Sequence, residues 1–178
     1  MTYASVEEVF DGIDGTRQRL YDRVEGLSDE QSRARPNSNA WSVAEIVEHL
    51  SIIEGRLLQM MKLMLHKAES AGARSKGGAV EMKPFTIEHH VERARNEKYT
   101  APEAVRPSGQ ASIADSLAKL RQSREELRAL RPRIEETNLA GATYPHPAFG
   151  PLNFYEWLAF IGVHEERHLR QIESVLSS

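Results

Sequence analysis

A chain of 178 residues has the length of one ordinary domain and can bury a sizeable core without disulfides or a structural metal. Its 23 Lys+Arg against 26 Asp+Glu leave a formal charge of −3, which lacks the basic excess that phosphate binding needs and argues against nucleic acid as a partner. The absence of cysteine removes disulfides, thiolate metal sites and cysteine nucleophiles together, and fits a cytoplasmic protein. No basic stretch followed by an apolar run opens the chain, so no secretory signal is expected. The longest uncharged apolar run, residues 157–163, is far short of the roughly 20 residues of a membrane span. A single soluble domain over residues 1–178 is the expectation.

Helical periodicity appears in four segments, and none alternates like a strand. The first, residues 6–24, places Val6, Val9, Phe10, Ile13, Leu20, Tyr21 and Val24 on one stripe, with Ser5 and Glu8 as a capping box and Gly26 at its end. The second, residues 42–69, opens on another Ser–Glu pair (Ser42, Glu45). Its stripe is Val43, Ile46, Val47, Leu50, Ile53, Leu57, Met61 and Met64. The third, residues 112–134, carries Ile113, Leu117, Leu120, Leu127 and Leu130 behind a Ser112–Asp115 cap, and Pro132 is expected to bend or end it a turn early. The fourth runs from Asn153, paired with Glu156, to Val175 or Leu176. Its stripe continues from Phe154, Trp157, Leu158 and Ile161 into His164, His168, Ile172 and Val175.

Residues 70–111 form a long crossover rich in glycine and proline, with room for one short helix near residues 86–94. A connection that long can run the length of a bundle and return, which lets the second and third helices lie parallel. The fold expected is all-α, a four-helix bundle with the crossover between its second and third helices.

His164 and His168 stack one turn apart on the inward face of the last helix. Two neutral imidazoles so placed can chelate a divalent ion, each through one ring nitrogen. The bland alternative is a pair of hydrogen-bonded core histidines. The run also matches H-E-x-x-H, the zinc peptidase motif. The ten residues after His168 contain no histidine to complete such a site, and no edge strand is expected to hold a peptide, so a peptidase is disfavoured. A third ligand must come from upstream, and His49, beside the stripe of the second helix, is the best candidate. His66 lies near a helix end, His89 and His90 in the crossover, and His146 in a loop, where it could still approach the site from above.

Two blocks of sequence resemble the DinB-like (DinB/YfiT) superfamily. One is Trp41-Ser42-Val43-Ala44-Glu45-Ile46-Val47-Glu48-His49-Leu50, preceded by Arg35-Pro36. The other is His146-Pro147-Ala148-Phe149-Gly150-Pro151-Leu152 with Glu156-Trp157 and the stretch from His164 through His168 to Ile172. The first helix and the Leu27-Ser28-Asp29-Glu30-Gln31 turn fit in order and spacing. The resemblance implies an up-down-down-up bundle, a homodimer, and a three-histidine metal site carried by His49, His164 and His168. It also implies a metal-dependent transferase acting on a small-molecule substrate with a low-molecular-weight thiol such as bacillithiol or mycothiol. A metal-dependent hydrolase and a non-catalytic metal-binding stress-response module stay open as alternatives. Imidazole ligands suit Zn, Ni, Fe or Cu; zinc or nickel leads the expectation, with iron or manganese behind.

Further residues have two readings each. Arg124 falls in the apolar stripe of the third helix, where its guanidinium would meet either a substrate carboxylate or a structural ion-pair partner. Arg56 raises the same question from the second helix. Glu45 could orient His49 but already caps its helix, and Glu165 could act as a base beside the metal or simply be solvated. Met60, Met61 and Met64 read as core packing or the wall of an apolar pocket.

Overall fold

The computed structural model describes residues 2–75, 80, 82–87, 90, 92 and 101–177. In chain order these hold β1 (Thr2–Tyr3), α1 (Val6–Val24), α2 (Asp29–Arg33), α3 (Val43–Ser70), β2 (Phe85–Thr86), a 3-10 turn (Glu103–Val105), α4 (Ile113–Glu135), β3 (Thr143–His146), β4 (Gly150–Asn153) and α5 (Phe154–Leu176). The long helices α1, α3, α4 and α5 are the four that the periodicity predicts. Side-chain hydrogen bonds and ion pairs between them fix their directions. On α3 and α4, Glu54 meets Ser123, Lys62 meets Glu126 and Glu69 meets Arg133, so the two run parallel. Arg17 and Arg19 of α1 meet Glu165 and Glu166 of α5, again in parallel. Between α1 and α4 the order reverses, Glu25 with Arg121 and Glu7 with Arg131. The bundle is therefore up-down-down-up, as the resemblance implies.

Caps set where these helices begin. Ser42 and Asn153 form full capping boxes with Glu45 and Glu156, each residue satisfying the other's free backbone N–H. Ser5 is only half of one: it accepts from Glu8 N–H at 3.1 Å, while the Glu8 carboxylate takes the Ala4 N–H at 2.6 Å instead. Ser112 likewise accepts from Asp115 N–H at 3.0 Å but spends its own hydroxyl proton on the Asp115 carboxylate. Pro132 does not cut α4 short; it sits inside the last turn, and the helix runs on to Glu135. The segment expected as a turn after α1 is itself a short helix, α2, with a Ser28–Gln31 capping box.

The core falls into two apolar clusters, and the change from one to the other comes at the same level on every helix. One holds Val9, Phe10 and Ile13 of α1, Leu58, Met61 and Leu65 of α3, Leu127 and Ile134 of α4, and Phe154, Leu158 and Ile161 of α5. The other holds Leu20 and Val24, Val43 to Leu50, Leu117 and Leu120, and Leu169 and Ile172. At the boundary each helix contributes one buried charged residue: Arg17, Glu54, Arg124 and Glu165. A polar layer thus crosses the bundle between two hydrophobic halves.

The crossover leaves the end of α3 beside the end of α4, where Ser75 N–H donates to Glu136 O at 2.7 Å. It contributes β2, paired antiparallel with β1, and buries Met82 and Ile87. Its later part, the Glu103–Val105 turn, packs against α3. Thr86 lies in β2, and the rest of the short helix expected near residues 86–94 falls largely outside the described residues, as do Gly77 and Gly78. The loop expected before the last helix contains a hairpin, β3 against β4, with Tyr144 opposite Leu152 and Pro145 opposite Pro151. Gly150 closes its turn at φ +77°, a backbone conformation that glycine adopts without a side-chain clash. Trp157 Nε1–H donates to Tyr144 O at 3.0 Å and ties the hairpin to α5. Among the described residues no helix is long and apolar enough to cross a membrane.

Candidate metal centre

Helical spacing puts His164 and His168 one above the other on α5, and antiparallel packing brings His49 of α3 against them. The ring centroids lie 4.6 Å apart for His164–His168, 5.0 Å for His49–His168 and 5.3 Å for His49–His164. One ligand nitrogen from each ring falls within 4.8 Å of the other two. His49 and His168 are buried, and His164 is the more open of the three. The indole of Trp41, 4.8 Å from the His49 ring, closes the side facing the start of α3.

The outer nitrogens of two rings are already engaged. His49 Nδ1–H donates to the Val105 carbonyl at 2.7 Å, and His168 Nδ1–H donates to Gln171 Oε1 at 3.0 Å. Both acceptors are carbonyl oxygens, so the ring nitrogen must be the donor, which leaves Nε2 as a free lone pair on each ring. Burial disfavours the charged form of every ring. It lowers His49 against the bond donated to the Val105 carbonyl, with Arg167 adding to the lowering. It pulls His168 down to about 3, helped by His49 and Arg167. It holds His164 well below the usual imidazole range, helped by the two neighbouring imidazoles. Three neutral imidazoles with two preset tautomers are what a divalent ion needs from its ligands, so the donor set fits a metal.

The carbonyl that orients His49 is itself anchored. Glu48, the neighbouring residue on α3, is buried and accepts Ser108 N–H at 2.9 Å, Ser108 Oγ–H at 2.6 Å and Gly109 N–H at 2.9 Å. These bonds outweigh the burial of Glu48 and lower its pKa. The returning crossover is therefore fastened to α3 one residue before the histidine that it orients. Glu45 is a helix cap and an ion-pair partner of Arg35 at 3.2 Å, and His49 donates its outer N–H to Val105 O instead.

Below the histidines lies the polar layer. Arg17 Nε–H donates to Glu165 Oε1 at 2.5 Å, its Nη2 pairs with Glu54, and its Nη1 donates to the Leu120 carbonyl at 2.9 Å. Although burial opposes the charge on Arg17, Glu165 and Glu54 hold its pKa well above the usual value. Arg124 pairs with Asp14 at 2.8 Å, Glu54 at 3.4 Å and Glu165 at 3.7 Å. Of the two roles that the sequence leaves open for Arg124, these contacts describe the ion pair. Glu165 is not a solvated glutamate: it is 2% exposed, and burial raises its pKa against the pull of Arg17 and Arg124. Its bond to Arg17 also occupies the carboxylate that an H-E-x-x-H peptidase would use as a base.

His146 is not a solvated loop residue either. It ends β3, stacks on Phe149 at 4.4 Å and meets Phe160 at 4.8 Å, and the Phe160 ring lies 6.4 Å from that of His164. Burial, with His90 nearby, lowers its pKa to about 4. His66 and Arg56 are exposed, and His89 lies outside the described residues. Met61 and Met64 are core, whereas Met60 is half-buried and joins Leu63, Arg56 and Tyr144 along an outer groove. Arg17, Glu54, Glu48 and Gln171 are the site residues that sequence reasoning missed. A signal existed for two of them: Arg17 sits in phase with Ile13, Leu20 and Val24, and Glu54 follows Leu50 by one turn.

The model of the DinB superfamily matches residues 13–172. An uncharacterized protein of Bacillus subtilis (strain 168), YuaE, is 29% identical over 160 residues, which cover 89% of this chain and 91% of that protein. The crystal structure of TT2238, described as a four-helix bundle protein, aligns with a TM-score of 0.59 at 16% identity, covering 95% of this chain and 98% of that one.

Proposed function

Since the chain belongs to the DinB superfamily, we propose that it is a metal-dependent enzyme in which His49, His164 and His168 hold a divalent ion and a low-molecular-weight thiol is transferred to a small-molecule substrate. The observation that carries this reading is the convergence of three neutral imidazoles, two of them with the outer nitrogen spoken for. Three protein ligands leave a coordination position open, as catalytic sites do and four-ligand structural sites do not. An ion held there would supply Lewis acidity, lowering the pKa of a bound thiol or water. The chain supplies orientation: Val105 and Gln171 fix two ligand rings, Glu48 fixes the segment that carries Val105, and Trp41 shields His49. The more open His164 marks the approach, flanked by the aromatic group of Phe160, Phe149 and His146.

The test is metal analysis of protein purified without a histidine tag, followed by conjugation assays with bacillithiol, mycothiol and other cellular thiols. About one zinc or nickel per chain, lost in a folded His168→Ala variant, together with thiol-dependent consumption of an electrophile, is the expected outcome. Cleavage of an ester or amide with no thiol dependence would replace the transferase with a hydrolase. Metal binding without turnover of either kind would leave a binding module. We also propose a homodimer, for which the exposed Leu63 and Tyr144 offer an apolar face. Sedimentation at micromolar concentration showing a single species at the chain mass of 20.1 kDa would dismiss it.

A further inference from the structure

His164 differs from its two companions. His49 has Val105 and His168 has Gln171 on the outer nitrogen, but no hydrogen bond joins the His164 ring to another described residue. One residue further along α5, Glu165 has a complementary need. Its Oε1 receives Arg17, while its buried Oε2 has no hydrogen-bond partner, the Arg124 guanidinium standing 3.7 Å away. A buried carboxylate oxygen without a donor forfeits its hydration with nothing in return, so its surroundings should contain one.

Such a place exists. A cavity of about 10 Å³ is lined by His164 and Glu165 together with Arg17, Glu54 and four apolar side chains. That volume is about what a single water molecule requires, and the four polar residues around it can supply the two to four partners that a buried water uses. An apolar cavity of that size would stay dry, whereas this one has charged walls.

We propose that this cavity holds one water molecule bridging the His164 ring to Glu165 Oε2, so that Glu165, held by Arg17, is a positioning residue for the third metal ligand. The inference rests on the metal reading above. It makes the polar layer the outer shell of the metal centre, completing for His164 what Val105 and Gln171 do for the other two rings. Ligating histidines as a rule donate their second N–H to a carboxylate, a carbonyl or a water, which fixes the tautomer and raises ligand basicity. The layer then has two duties, closing the bundle in register and aiming an imidazole.

Two experiments test it. In the first, cobalt(II) is titrated into the tag-free protein and followed by its visible d–d bands. The Arg17→Met/Glu165→Leu double variant removes the pair without stranding a charge, and circular dichroism reports whether it folds. The dissociation constant is expected to rise about 10–100-fold, the usual effect of losing an outer-shell partner, with altered d–d bands. Glu165→Gln, which keeps an acceptor for the water, should restore most of the affinity, and the surface variant Glu166→Gln should match wild type. Unchanged affinity and spectrum in the folded double variant would overturn the inference while leaving the metal reading intact. A wild-type protein that binds no cobalt would overturn both. The second experiment needs no variant: a high-resolution crystal structure should show a water within hydrogen-bond distance of Glu165 Oε2 and a His164 ring nitrogen, and a cavity without density would overturn the proposal.

Discussion

Replacing Arg17 with methionine should be among the most damaging single changes available in this chain. The side chain is 3% exposed and its guanidinium serves Glu165, Glu54 and the Leu120 carbonyl at once. Methionine fills much of the volume but takes a partner from two carboxylates. Glu54 keeps Ser123 and Arg124, whereas Glu165 is left with Arg124 at 3.7 Å. Removing one partner of a buried pair costs about 3–5 kcal/mol. At about 2–4 °C per kcal/mol for a domain of this size, the melting temperature should fall by about 6–20 °C. Thermal unfolding followed by circular dichroism reads this directly. The Arg17→Met/Glu165→Leu double variant should recover much of the loss, because replacing a whole buried pair by apolar groups is often neutral. A single variant that loses under about 1 kcal/mol, or a double variant no more stable than the single, would refute the polar layer as a matched set of charges.

Other consequences follow from the same contacts. Glu48→Gln exchanges a carboxylate accepting three hydrogen bonds for an amide with one acceptor, at a cost of about 1.5–3 kcal/mol. Amide hydrogen exchange at Ser108 and Gly109 should accelerate, and unchanged protection would dismiss the anchoring role. His146, depressed to about 4, stays neutral in the fold, so its ring resonances in an NMR titration should still be those of the neutral form at pH 5; a midpoint between 6 and 7 would contradict its packing. Because its folded pKa lies below the unfolded value of about 6.5, its share of stability is complete above that pH and is lost as pH falls toward 4. His146→Phe should therefore lose less stability than wild type between pH 7 and pH 5.

The helices could be read from the sequence because period and caps agree: Ser42 with Glu45 and Asn153 with Glu156 mark starts that the apolar stripes then confirm. The hairpin could not. Its strands are four residues each, and Pro145 faces Pro151 across the ladder, so no alternation of apolar and polar residues announces it. At the site, the phase of His164 and His168 relative to Ile161 and Ile172 was visible, and so was an upstream partner for them. The polar layer was half visible. Arg124 interrupts its stripe conspicuously, but Arg17 and Glu165 are 148 residues apart, and nothing local says that one charge answers the other. The outer bond of His49 comes from a backbone carbonyl, which every residue owns and no residue type reveals.

The measurement that bears most directly on the account is anomalous diffraction from crystals of tag-free protein, recorded on both sides of the zinc and nickel absorption edges. The account predicts a single peak about 2.0–2.1 Å from the Nε2 atoms of His49, His164 and His168. A peak elsewhere, or crystals of metal-replete protein with none at these three rings, would contradict it.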